Sequence, residues 1–214
     1  MKFRITYIQV VVHFLSLLPI IIILAKYLNE DLSANPIREI SIRTGRTAIC
    51  LLLLSLLCTP LINIFDFSAA MRVRRALGLY AFFYASLHFL DFAILDFGLD
   101  FATISALITH QPILIIGLIS LLLLIPLAVT STSAWQLRLG VWWRRLHRLM
   151  YVITLLVIVH FFLAVKGDPQ LPILFAIFYS ILILVRLPFF KSKKIRVEFV
   201  SKLNQFLSQT IIKA

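Results

Sequence analysis

Acidic side chains are scarce in this 214-residue chain: 9 Asp and Glu stand against 21 Lys and Arg, and charged residues of either sign make up only 14%. Soluble domains carry about 25% charged residues, so an ordinary water-soluble fold is excluded at the outset. Cysteine is nearly absent as well. The two present, Cys50 and Cys58, lie in one apolar run, about 12 Å apart along a helix. That spacing excludes a disulfide between them, and two thiols are too few for an iron–sulfur cluster. The 6 glycines nowhere form a Gly-rich dinucleotide fingerprint, and the hydrophilic stretch after Leu187 is too short for a flavin or NADPH domain. The expectation is a chain that does not itself collect hydride from a nicotinamide. No Ser- or Cys-based triad is in view.

What is present in abundance is apolar: 61% of residues are hydrophobic, and mean hydropathy is +1.00. Runs long enough to cross a bilayer fall at 7–28, 47–66, 76–97, 112–129, 149–166 and 171–188, given that a span takes about 20 residues. The first begins like a signal peptide, but it is too long for one and has no cleavage pattern at Ala25-Lys26-Tyr27-Leu28, so it is read as a retained span. The expected fold is an all-α integral membrane protein, a six-transmembrane-helix bundle over residues 1–190 with a short basic cytoplasmic tail over 191–214. No internal repeat stands out.

A formal charge of +12 would suggest nucleic acid in a soluble chain. In a membrane protein it reads instead as Lys and Arg collected at cytoplasmic span ends, with no nucleic acid as partner. The two termini and the even-numbered loops hold 16 basic residues, and the odd-numbered loops hold 5, of which 4 fall between the first two spans. Both termini are therefore expected in the cytoplasm.

Ionisable side chains are expensive to place in hydrocarbon, so intramembrane histidines are functional candidates. His88 lies well inside the third run and His160 well inside the fifth; Arg75 and His147 mark the inner ends of the same two runs, each thirteen residues earlier. Thirteen residues of helix rise about 20 Å, so two parallel helices offer ligands at two matched depths. His88 with His160 suits the two axial ligands of an outer haem of b type. At the inner depth His147 faces Arg75, and an inner haem would be held by one His, by His plus Arg, or by His plus water. Thirteen residues are about 3.6 turns, so the two levels do not share one straight stripe.

Other polar residues receive plainer readings. His110 is taken as a solvated loop residue and His13 as a structural hydrogen-bonding group that could also assist a quinone or a propionate. Arg72, Arg74, Arg75, Arg144, Arg145 and Arg148 serve as inner-face positive charge and suit haem propionates or a flavin phosphate. Trp135, Trp142 and Trp143 are read as interfacial anchors. Asp91 is read as solvated in an outer vestibule.

Arg74-Arg75-Ala76-Leu77-Gly78-Leu79 leading to Leu87-His88, then Leu127-Ala128-Val129-Thr130-Ser131-Thr132, Leu139-Gly140, Trp143, Leu146-His147, Tyr151, His160 and Val165-Lys166 together resemble the MsrQ (YedZ) family. So do His13 with Leu17-Leu18-Pro19, and Thr44-Gly45-Arg46-Thr47-Ala48. The family sits among the ferric reductase-like transmembrane proteins. The resemblance implies a haem b subunit of the bacterial cell inner membrane, multi-pass, that relays electrons to the periplasmic molybdopterin subunit MsrP, a methionine sulfoxide reductase that repairs oxidised periplasmic proteins. The quinone pool or a cytoplasmic flavin reductase is the implied donor, and an FMN, placed on no residue, is associated with the family. By position the implied haem ligands are His88, His147 and His160, with Arg75 as candidate fourth. One local departure is His110-Gln111-Pro112-Ile113, where the family usually has Arg-Pro-Tyr. Sulfoxide chemistry is expected in the partner, which makes the chain an electron-transfer subunit. Two rivals stand beside this reading: a stand-alone ferric or quinone reductase of the same fold, and a haem-free transporter or scaffold.

Overall fold

A computed structural model describes residues 6–186. All regular structure in it is helical: α1 (Tyr7–Leu28), α2 (Pro36–Phe65), α3 (Ala70–Leu90) running into a π-helical turn (Asp91–Asp96), α4 (Phe101–His110), α5 (Pro112–Val129), α6 (Ser133–Leu139), α7 (Val141–Leu146), α8 (Leu149–Ala164) and α9 (Gln170–Leu184). Five helical segments are long and apolar enough to cross a membrane: Tyr7–Leu28, Pro36–Phe65, Ala70–Asp96, Pro112–Val129 and Val141–Ala164. The sixth expected span is the apolar helix α9, which has 15 residues and so rises only about 22 Å. The expected basic tail lies outside the described residues, as do Lys2 and Arg4.

Local sequence sets the helix ends. Asn35 Oδ1 accepts the Arg38 N–H at 3.0 Å with Pro36 in the first turn, where its missing N–H costs nothing. Thr132 Oγ1 accepts from Trp135 N to start α6, and Gly140, at φ +52, turns the chain between α6 and α7. That left-handed conformation favours glycine. Before α4, Asp100 accepts from the Thr103 hydroxyl and from the Ala102 and Thr103 N–H groups.

The core runs along the α2–α3 seam and extends to α5 and α8, with Leu52, Val73, Leu77, Ala81, Tyr84 and Ile153 nearly inaccessible. Large apolar side chains such as Phe14, Leu54, Leu122, Val152 and Ile177 point outward, the pattern expected where lipid is the solvent. Cys50 and Cys58 are both unpaired, as their spacing requires.

Pro19 interrupts α1, and α3 repairs the gap. The Tyr84 hydroxyl donates to Ser16 O at 2.8 Å and accepts from Ile20 N at 3.1 Å. It thus bridges a carbonyl and the amide four residues on, which an uninterrupted helix would pair directly. With its ring at 0% exposure, Tyr84 ties α1 to the core by hydrogen bonds as well as by packing.

Two outcomes follow. Tyr84→Phe leaves Ser16 O and Ile20 N without their bridge, so thermal unfolding of the detergent-solubilised protein should show a loss of about 1–3 kcal/mol; an unchanged midpoint would show that the bridge contributes nothing. The Thr103 hydroxyl and amide hold the Asp100 carboxyl below the usual carboxylate range. Its contribution to the start of α4 is therefore present above about pH 4 and is lost as pH falls through the lowered folded value. Amide exchange at Ala102 and Thr103 should speed up on acidification relative to the Asp100→Asn protein.

Candidate functional site

His88 on α3 and His160 on α8 come together inside the bundle, with ring centroids 6.2 Å apart and ring planes at 84°. Arg75 and His147 line one cavity while His88 and His160, each thirteen residues further on, meet at another level, so α3 and α8 run in the same direction. Each ring is steered by a helix it does not belong to. His88 Nδ1 lies 3.0 Å from Ser41 O on α2 and 3.3 Å from Ser41 Oγ, and His160 Nδ1 lies 2.9 Å from Ile113 O on α5. A carbonyl oxygen can only accept, so Nδ1 is the protonated nitrogen in both rings. In the neutral imidazole the lone pair is then on Nε2.

A helix carbonyl is directed at the N–H four residues on, and the side chain of that residue covers its free lone pair. Here the fourth residue is glycine both times: Gly45 after Ser41 and Gly117 after Ile113. A Cβ at Gly45 would stand 3.3 Å from His88 Cε1 and Nδ1, and one at Gly117 would stand 2.8 Å from Cε1 and 3.0 Å from Nδ1 of His160. The missing side chains are what let the imidazoles reach the carbonyls. Both His-to-carbonyl bonds span 47 residues, so α2–α3 and α5–α8 are built on one plan. The likeness lies in the two contacts and their glycines.

Two imidazoles that each gave one nitrogen to a shared metal would have centroids about 6 Å apart, since a metal–imidazole bond is about 2 Å and a centroid sits roughly 1.1 Å behind its nitrogen; the observed separation of 6.2 Å is compatible with that. Fixing Nδ1 by a carbonyl is also how ligating histidines are commonly oriented and made more basic. Among the described residues no group of three or more His, Cys, Asp and Glu gathers as a cage for a bare ion. Two imidazoles suffice where a porphyrin supplies the other four donors.

The inner level is arranged differently. His147 and Arg75 line one cavity of about 340 Å³, together with Arg74, Gly78, Ala128 and Trp143. Thr130 Oγ1 donates to Pro126 O at 2.6 Å, so the 3.2 Å contact from His147 Nε2 to Thr130 Oγ1 makes the imidazole the donor. The free nitrogen of a neutral ring is then Nδ1. Trp143, expected as an interfacial anchor, instead stacks on His147 at 4.1 Å and donates its indole N–H to Thr130 O. His147 sits in the turn between α7 and α8, so the objection that both levels cannot share one stripe does not apply on that side. The two levels are on different elements there.

Asp91 departs from its reading. It is 5% exposed and lies beside the Ser41 side chain, so it is buried in the bundle and not open in a vestibule. It opens the π-helical turn that follows His88, a distortion that often marks functional sites. His110 is exposed on α4 as expected, and His13 Nδ1 bonds the Tyr80 hydroxyl at 2.9 Å. Ser41, Gly45, Ile113 and Gly117 went unassigned in the sequence. A lone glycine inside an apolar helix was the available signal.

Comparison with known proteins adds relatives of known type. The family described as "Ferric reductase like transmembrane component" matches residues 44–158. "Protein-methionine-sulfoxide reductase heme-binding subunit MsrQ" from Xanthomonas campestris pv. campestris (strain 8004) is 44% identical over 148 residues, 69% of this chain and 68% of that protein. The protein of the same name from Pectobacterium carotovorum subsp. carotovorum (strain PC1) is 38% identical over 184 residues, 86% of this chain and 92% of its own length. That from Rhodospirillum rubrum is 39% identical over 180 residues, 84% and 86% of the two chains. No solved structure matches.

Gly117→Ala should displace the His160 ring and lower the haem retained per purified chain on the order of tenfold. Gly45→Ala, whose Cβ contacts are looser, should do less. Pyridine haemochromogen assay of both variants checks the order, and equal retention in both would show that the glycines do not position the rings.

Proposed function

The chain belongs to the MsrQ family of ferric reductase-like transmembrane proteins, and from that premise we propose that it is a haem b electron-transfer subunit. It takes electrons from the quinone pool or a cytoplasmic flavin reductase and passes them across the bacterial inner membrane to a periplasmic molybdopterin subunit, MsrP. That partner reduces methionine sulfoxide in oxidised periplasmic proteins. The observation that supports the reading is the His88–His160 pair, whose Nδ1 atoms are bonded to carbonyls of α2 and α5 and whose ring centroids lie 6.2 Å apart.

In this reading His88 and His160 hold the haem nearer the outer face, and His147 on the inner side is the ligand of a second, with Arg75 as its candidate partner. Both termini are cytoplasmic and α9 is the sixth span. Haem iron supplies one-electron carriage by alternating between ferric and ferrous states. The chain's own residues do the rest. Ser41 O and Ile113 O keep each imidazole in the tautomer that presents Nε2 and make it a stronger donor. The apolar faces of α2, α3, α5 and α8 keep water from the site, so the low dielectric disfavours the more highly charged oxidation state. Arg74 and Arg75 at the inner cavity suit an anionic group such as a propionate. FMN is assigned to no residue, and the sulfoxide chemistry belongs to the partner.

A dithionite-minus-oxidised spectrum of the purified protein should show b-type bands, and a featureless spectrum after haem-replete expression would overturn the relay. His88→Ala and His160→Ala should each remove the same haem, whereas His147→Ala should spare it. Loss of all haem in His147→Ala with retention in His88→Ala would overturn the assignment of the paired site. Ferric chelate reduction by the purified chain without a partner would favour a stand-alone reductase.

A further inference from the structure

The basic residues of the first two helices run against the charge rule that the rest of the chain obeys. Of the five Lys and Arg placed at the outer side, four are Lys26, Arg38, Arg43 and Arg46, and all four line a single groove between α1 and α2 of about 1010 Å³. Cations on that side carry a topological cost, so their concentration in one place calls for a local reason. Internal pairing explains only half of them. Glu39 takes Arg43 at 2.7 Å and Lys26 at 3.4 Å, with Asp31 also 3.8 Å from Lys26. Among the described residues, Arg38 and Arg46 have no acidic partner, and both are exposed.

Arg38, Ile42 and Arg46 follow one another at four-residue steps, one stripe of α2. The helix has 30 residues, about 45 Å, against a hydrocarbon core of about 30 Å. The apolar run of α2 begins at Thr47, so Arg46 stands at its outer edge and Arg38 about 12 Å further out along the helix. Across the groove α1 supplies an apolar wall of Leu15, Leu18, Pro19 and Ile22, in a register set by the Lys26–Glu39 contact. The result is two guanidinium groups without acidic partners along a groove with one apolar wall.

We propose that this groove is a binding site for an anionic glycerophospholipid of the leaflet on the His88–His160 side. Its phosphate lies against Arg46 and Arg38, and one acyl chain lies on Leu15, Leu18 and Ile22. Guanidinium presents the planar donor fork that phosphate oxygens accept, and the apolar α1 wall beside it, about 10 Å from Leu15 to Ile22, favours the upper part of a lipid chain over an acidic protein.

The test uses the full haem-loaded protein in detergent, titrated with dioleoylphosphatidylglycerol or dioleoylphosphatidylcholine and read by native mass spectrometry. The groove predicts a preference for phosphatidylglycerol of about thirtyfold, roughly fivefold for each arginine. Arg38→Gln/Arg46→Gln should reduce that preference to about one while its haem spectrum is unchanged, since neither residue touches the histidines. Equal binding of the two lipids by the unaltered protein, or a preference that survives the double substitution, would overturn the proposal. So would glycerol phosphate competing as well as the intact lipid, which would make this a site for free phosphate. Partner-dependent reduction that collapses in the double variant with lipid binding unchanged would assign the arginines to an acidic protein instead. Because the readout is lipid mass, a chain without haem would defeat the relay reading and leave this result standing.

Discussion

Two hydrogen bonds, from His88 Nδ1–H to Ser41 O and from His160 Nδ1–H to Ile113 O, are the constraint on which the rest of the arrangement depends. They choose the tautomer, the ring direction and the spacing at once. They exist because glycine stands four residues beyond each carbonyl and leaves its second lone pair open. Helix pairs α2–α3 and α5–α8 must then approach closely and antiparallel, the start of one against the end of the other, which the glycines permit and the surrounding leucines and isoleucines fill. Buried polar groups elsewhere follow the same economy: Tyr84 completes the interrupted ladder of α1, and the Trp143 indole and the His147 imidazole both bond to Thr130.

A bilayer makes this economy compulsory. Lipid offers no partner to an unpaired N–H or C=O, so each break in a helix needs a side chain or a neighbouring helix to complete it. It also removes the ordinary contrast between core and surface, because outward-facing residues are as apolar as buried ones. Packing at the helix contacts, and the few polar links through them, then carry the specificity that a hydrophobic core supplies in water. Buried Asp91 sits beside Ser41 in the π-helical turn that follows His88.

Charge is partitioned in the same economical way. Arginines at the inner cavity stand beside His147, while those on the first two helices gather around one groove. The bundle therefore presents a cationic lining at each level at which histidines occur.

The sequence by itself determined that this is a helical membrane protein, where most of its spans lie, and that His88 and His160 stand at one height, because hydropathy and helical rise are properties of a chain read one residue after another. It foresaw six full spans, whereas the described part of the last is a 15-residue helix, since hydropathy does not register where a helix stops. Ser41, Gly45, Ile113 and Gly117 were silent: a backbone carbonyl has no residue identity, and a glycine gives no sign of what approaches it. Asp91 and Trp143 were misjudged for the same reason, their surroundings being supplied by distant segments. Only the tertiary structure decided which nitrogen each imidazole keeps free, because that depends on which helix lies alongside, and contact between helices is not additive along the chain.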